Sequence, residues 1–151
     1  MEPSEQPVRT IVVGVDGSER ADAALVWAID EAEAVGARLV VVMGWTYLAQ
    51  VAVKGDADFD PNYDRRDAAG ALARFVERVV DARGGTDVEI EQRAVLDLPA
   101  SALVAASQDA DLVVVGSRGR GGFAGLLLGS ISQQVVQHAA CPVLVHRSRP
   151  A

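Results

Sequence analysis

The amino-acid sequence predicts an open α/β fold: a twisted, parallel five-stranded sheet with helices on both faces. Three observations carry this expectation. Continuous β-branched runs recur along the chain, stretches of helical periodicity separate them, and glycine, proline or serine marks the junctions. Crossover helices cover both faces of a parallel sheet, so its central strands are apolar on both sides and lose the alternation of a half-exposed strand.

The first such run is "RTIVVGV" (9–15), and "RLVVVMGW" (38–45) and "DLVVVGS" (111–117) match it in character, which places all three at the centre of the sheet. Between the first two, residues 19–36 read as a helix. Leu25, Ala28, Ile29, Ala32 and Val35 make an apolar stripe, Glu19, Asp22, Asp30 and Glu33 face away, Ser18 caps the start and Gly36 ends it. Each Leu or Ile fully buried from that stripe contributes about 1.5–3 kcal/mol.

Residues 46–63 have no sustained period and read as a long loop that ends at position 64. A second helix is expected over 65–83, with Ala68, Leu72, Phe75, Val76 and Val79 inward and Gly84-Gly85 closing it. "VEIEQRAV" (88–95) alternates apolar and charged residues, as a strand near a sheet edge does. A short helix follows, with Pro99 in its first turn and Leu103 and Val104 inward. The last strand, "CPVLVHR" (141–147), carries a proline that cannot donate a ladder hydrogen bond, which assigns it to the other edge. With strands three and five at the edges, right-handed crossovers give the order 3-2-1-4-5. That order reverses between strands one and four, and open α/β sheets bind ligands at the carboxyl ends of the strands at such a switch point.

The two segments leaving those strands are "GVDGS" and "GSRGRGGFAGLLLGS". Phosphate is held by backbone N–H groups only where the chain approaches closely on several sides, which β-carbons obstruct and glycine permits. Gly116, Gly119 and Gly129 stand where the second segment leaves its strand, turns and enters the next helix. Ser130 followed by Gln133 has the capping-box form. The helix start presents unpaired amides and about half a positive charge, and the hydroxyls of Ser130 and Ser132 add donors. Arg118 and Arg120 supply local positive charge. The Gly-Lys-Ser/Thr ending of a P-loop is absent, and so is a dinucleotide fingerprint directly after the first strand.

The spacing Gly116-x2-Gly119-x9-Gly129-Ser130 resembles the ATP-binding branch of the universal stress protein family. "IVVGVDGSERADAALVWA", "ADLVVVGSRGRGG" and "LLLGSISQQVVQHAACPVLVHR" resemble that family's opening, fourth and closing segments, and the likeness covers residues 9–147 apart from the loop at 46–64. The resemblance implies a Rossmann-like domain of the adenine nucleotide alpha hydrolase-like kind over 9–147, flanked by tails at 1–8 and 148–151. It implies adenine and ribose near the ends of strands one and two, touching Gly14, Val15, Asp16, Met43 and Gly44. It further implies phosphates over Val115, Gly116, Ser117, Arg118, Gly119, Arg120, Gly129, Ser130, Ile131 and Ser132. ATP, with Mg2+, is the implied cofactor, Asp16 accepts from ribose hydroxyls or helps place the metal, and a homodimer through the last strand is the implied assembly. No catalytic residue and no protein-held metal set is assigned.

Plainer roles stand beside these. The glycine segment also suits a flexible connection, and Asp16 suits a helix-start acid meeting the dipole. His138, Cys141 and His146 fall short of a zinc set, and Trp27 and Trp45 read as packing residues. Three functional classes therefore remain: a nucleotide-binding stress-response regulator, a slow ATPase or phosphotransfer enzyme in the same pocket, and a nucleotide-independent dimeric interaction module. A cyclic adenosine nucleotide is a variant of the first.

Whole-chain properties narrow the field. At 151 residues one domain is expected, hiding about 70% of its unfolded surface. A formal net charge of −7 argues against general attraction to nucleic acid. No apolar run approaches the roughly 20 residues that span a bilayer. One cysteine and no secretory leader lead to the expectation of a reducing cytoplasm.

Overall fold

The computed structural model describes residues 7–16, 19–46, 64–117 and 128–147. Along these the elements run β1 (Thr10–Gly14), α1 (Glu19–Val35), β2 (Arg38–Trp45), α2 (Arg65–Arg83), β3 (Ile90–Leu96), α3 (Pro99–Ser107), β4 (Leu112–Gly116), α4 (Ser130–His138) and β5 (Val143–His146). The sheet has the order β3-β2-β1-β4-β5, and every pairing is parallel. Burial follows that order. β1, β2 and β4 are buried along most of their length, whereas β3 is largely exposed and every residue of β5 is half-buried, as edge strands must be.

Two apolar layers sandwich the sheet. On one face Ile11, Val13, Leu39 and Val41 pack against Leu25, Ile29 and Ala32 of α1 and Leu72, Phe75 and Val76 of α2. On the other, Val12, Val40, Val42, Val113 and Val115 pack against Ala100, Ala102 and Leu103 of α3 and Val135 of α4. Period-two alternation sends successive strand residues to opposite layers.

The buried set of α2 is the expected one, Ala68, Leu72, Phe75, Val76 and Val79. Its start is fixed by a capping box in which the Asp64 carboxylate accepts from the Arg66 and Asp67 amides while Asp67 accepts from the Asp64 amide. Its end is fixed by Gly84 in the left-handed region at φ 100°. In α1 the expected stripe is buried except for its last member: Val35 is 42% exposed, because the helix ends there and the chain turns away at Gly36.

Three acids of α1, Asp22, Asp30 and Glu33, pair with arginines of α2 while Asp30 and Glu33 stay exposed. Arg78 reaches Asp22 at 3.0 Å, and Arg83 binds both Asp30 (2.6 Å) and Glu33 (2.7 Å). Thr86 adds a hydroxyl donor to Glu33. These hydrogen bonds, from Arg83 first and Thr86 second, hold the Glu33 carboxyl below its ordinary range, and the two acids hold the Arg83 guanidinium above its own. At the amino end of the sheet Asp111 accepts from the Thr10 amide at 2.8 Å, locking β4 to β1.

Candidate functional site

The connection leaving β1 leads to α1 on one face, and the connection leaving β4 leads to α4 on the other. Their divergence opens a cleft at the carboxyl end of the sheet, with about 510 Å³ of non-atom space, part of it open to solvent. Its strand wall comprises Gly14, Val15 and Asp16 after β1, Val42 and Gly44 of β2, and Val115 and Gly116 of β4. The helices facing it contribute Ala21, Pro99, Leu103, Ile131 and Ser132.

In a parallel α/β sheet every crossover helix starts at the carboxyl end of the strands. The first turns of α1, α3 and α4 therefore all reach this cleft, each bringing the positive end of its helix dipole, about half a positive charge. Asp16 is the one carboxylate among the described lining residues. The cleft thus sets a single acid among three positively polarised helix ends.

Two glycines set how closely α3 approaches. A β-carbon on Gly14 would stand 2.6 Å from Cδ1 of Leu103, and one on Gly44 would stand 2.6 Å from Cα and 2.8 Å from N of Pro99. The neighbour of Gly14 is a side-chain tip, whereas the neighbour of Gly44 is backbone. Gly44 therefore has a packing reason of its own: it seats the first turn of α3 against β2.

The base of the glycine segment is drawn together by hydrogen bonds. The Ser117 carbonyl accepts from the Gly129 amide at 2.7 Å and from the Ser132 hydroxyl at 3.2 Å, and the Ser117 amide donates to His146 O at 2.8 Å. The Ser132 hydroxyl also lies 3.0 Å from Gly129 O, so its proton serves these carbonyls and ties the strand exit to the helix entry. Ser132 is 3% exposed.

The expected cap of α4 shifts by one residue. Gly129, extended at φ −71° and ψ 169°, is the N-cap, and no side chain among the described residues caps the helix. Ser130 is the first helical residue and is exposed, while Gln133 sends its side-chain amide to Leu128 O at 3.2 Å, so the Ser130–Gln133 capping box does not form. The reason is local. Gly129 is held extended by its bond to Ser117, which leaves Ser130 helical, and a helical residue cannot cap its own helix. Among the described residues, no side chain partners the opening amides of α4 beside Ile131 and Ser132 in the cleft wall.

The remaining expected residues fall as follows. Met43 lies on the opposite side of β2 from Val42 and packs with the α1–α2 core layer. Arg118, Gly119 and Arg120 lie outside the described residues, as do Ser18 and most of the loop expected over 46–63. Trp45 is 6% exposed and Trp27 packs against the α1–α2 layer. Burial, reinforced by Asp111, pushes the Cys141 thiol up, away from the reactive thiolate. Among the described residues no group of three or more His, Cys, Asp and Glu is placed to hold a metal ion, and no helix is long and apolar enough to cross a membrane. Sequence reasoning did not single out Ala21, Val42, Pro99 or Leu103 as lining the cleft. A glycine inside the β-branched run at Gly44 was the available signal for close approach by another backbone.

Comparison with known proteins agrees with this architecture. The model of the universal stress protein family matches residues 7–147. A universal stress protein of Mycobacterium bovis is 39% identical over 148 residues, covering 97% of this chain and 47% of that protein. One from Mycolicibacterium smegmatis is 36% identical over 140 residues, covering 92% and 46%. The chain thus spans about half the length of these relatives. Among solved structures, a universal stress protein in complex with cAMP is 29% identical with a TM-score of 0.66, covering 95% of this chain and 100% of that one. A second, from Archaeoglobus fulgidus in complex with dAMP, is 25% identical with a TM-score of 0.62, covering 91% and 96%. The chain belongs to the universal stress protein family.

Proposed function

We propose that the cleft binds an adenine nucleotide, ATP with Mg2+ foremost, and that the protein is a nucleotide-dependent stress-response regulator of the cytoplasm acting as a homodimer. The observation that carries this reading is the uncapped start of α4, drawn against the exit of β4 by the Ser117–Gly129 hydrogen bond and facing Asp16 across the switch point. Such an arrangement suits a ligand that is anionic at one end and hydroxylated in the middle. The complexes of two family members with cAMP and dAMP lend support.

In this reading the Asp16 carboxylate accepts hydrogen bonds from ribose hydroxyls. Backbone at Gly14, Val15, Met43 and Gly44 borders the base. The amides of Gly116, Gly119 and Ser130 to Ser132 hold phosphate oxygens, with Val115, Ser117 and Gly129 beside them and Arg118 and Arg120 neutralising charge. The nucleotide supplies the polyphosphate whose presence or absence the regulator senses. Transfer of a phosphoryl group needs a positioned base and charge stabilisation. Asp16 as the one carboxylate among the described lining residues favours binding over turnover. For assembly, the half-exposed edge β5 offers its free backbone groups to the same strand of a second copy.

A thermal melt with and without Mg-ATP, with cAMP and AMP as further arms, tests the reading. Binding at a hundredfold excess over Kd stabilises by about 2.7 kcal/mol, which raises Tm by several degrees. Unchanged melting at millimolar concentration in every arm would sink it, and a shift with cAMP alone would replace ATP. A sedimentation experiment giving only monomer at micromolar protein removes the homodimer.

A further inference from the structure

We infer that Leu103 of α3 determines which bases the cleft admits, acting as an adjustable wall beside the fixed one at Pro99. The inference rests on the adenine-nucleotide reading and deepens it. The polar end of the cleft lies at the exit of β4 and the start of α4, and α3 packs over β2 and β1 at the other end. That second end is bordered by the apolar side chains of Val42, Leu103 and Pro99, which offer an aromatic ring contact.

The two contacts of α3 with the strands differ in kind. Over Gly44 the neighbour is the Pro99 backbone, at 2.6 and 2.8 Å from a would-be β-carbon. Over Gly14 it is the pair of Leu103 methyls, at 2.6 and 3.0 Å. Because backbone already rests on backbone at Gly44, shortening Leu103 cannot let α3 sink onto the sheet. The space vacated stays open, and since Leu103 lines the cleft it opens into the ligand site. Conversely, a methyl added at Gly14 would occupy that same space. Leu103 and Gly14 therefore form one size-complementary pair that limits the base to an unsubstituted ring.

Calorimetric titration of ATP and its N6-, C2- and C8-alkylated analogues into wild type, Leu103→Ala and Gly14→Ala/Leu103→Ala tests this. Wild type is expected to discriminate against at least one analogue, and Leu103→Ala to recover that analogue by about tenfold or more, the value of a methylene or two in an apolar pocket. Gly14→Ala in the shortened background is expected to restore the discrimination. If Leu103→Ala does not fold, Leu103→Val shows the same preference change at smaller size. Wild-type affinity equal for all analogues, or a folded Leu103 variant with unaltered preference, overturns the inference while leaving adenine-nucleotide binding intact. A wild type that binds no adenine nucleotide overturns the functional reading and this inference together.

Discussion

The two faces of the sheet are built differently. The α1–α2 face carries helices of 17 and 19 residues joined by the ion pairs of Arg78 and Arg83, with α2 capped at both ends. The α3–α4 face carries helices of nine residues each, both begun without a side-chain cap, and no ion pair joins them among the described residues. The difference separates holding from binding. An anion site at a helix start needs amides that no side chain has taken, and the long, capped, ion-paired face offsets what the short, uncapped face forgoes.

The largest effect should come from hollowing the clamped face. Leu72 is 1% exposed, and Leu72→Ala is expected to cost about 2–5 kcal/mol in chemical denaturation. Nucleotide affinity per folded molecule should be unchanged, and a parallel loss of affinity would break the division between faces. Next, Gly44→Ala forces a β-carbon against the Pro99 backbone and displaces the first turn of α3. About 1–3 kcal/mol of stability should be lost, together with about tenfold in nucleotide affinity, because a wall of the cleft moves.

A smaller pair of changes inverts the capping pattern. Asp64→Ala removes the cap of α2 and should cost about 1 kcal/mol, whereas Leu98→Ser supplies one to α3, whose N-cap residue is exposed and already extended, and should return a similar amount. Equal denaturation midpoints for Leu98→Ser and wild type would mean that the bare start of α3 is not a weakness. The smallest effect is that of acid on the clamp. Glu33 has a lowered folded-state value, so its contribution is complete above the unfolded value near 4.5 and fades as pH falls through the folded one. Urea midpoints should drop less between about pH 6 and 3 for Glu33→Gln than for wild type.

Much of this was legible beforehand, for identifiable reasons. The central strands declared themselves by continuous β-branched runs, and the edges by the alternation before Val95 and by Pro142, so the order followed from handedness alone. The limits and inward face of α2 were readable because its period and its stop at Gly84-Gly85 agree, while the Asp64 capping box came from the structure. The α4 cap was misread because Ser130 and Gln133 fit a local pattern, while the choice of Gly129 depends on a bond from Ser117 that periodicity does not express. Leu103 was legible as a core residue and opaque as a cleft wall, because its neighbour Gly14 is remote in sequence and close only after β1 and α3 have docked.

The hydrogen bond from the Gly129 amide to the Ser117 carbonyl reaches beyond this one cleft. By joining the two stems of the intervening excursion, it makes the frame indifferent to what is inserted between them. Closing a longer excursion costs little more than closing a short one. The sequence between those stems can therefore change in length or charge at little cost to the scaffold.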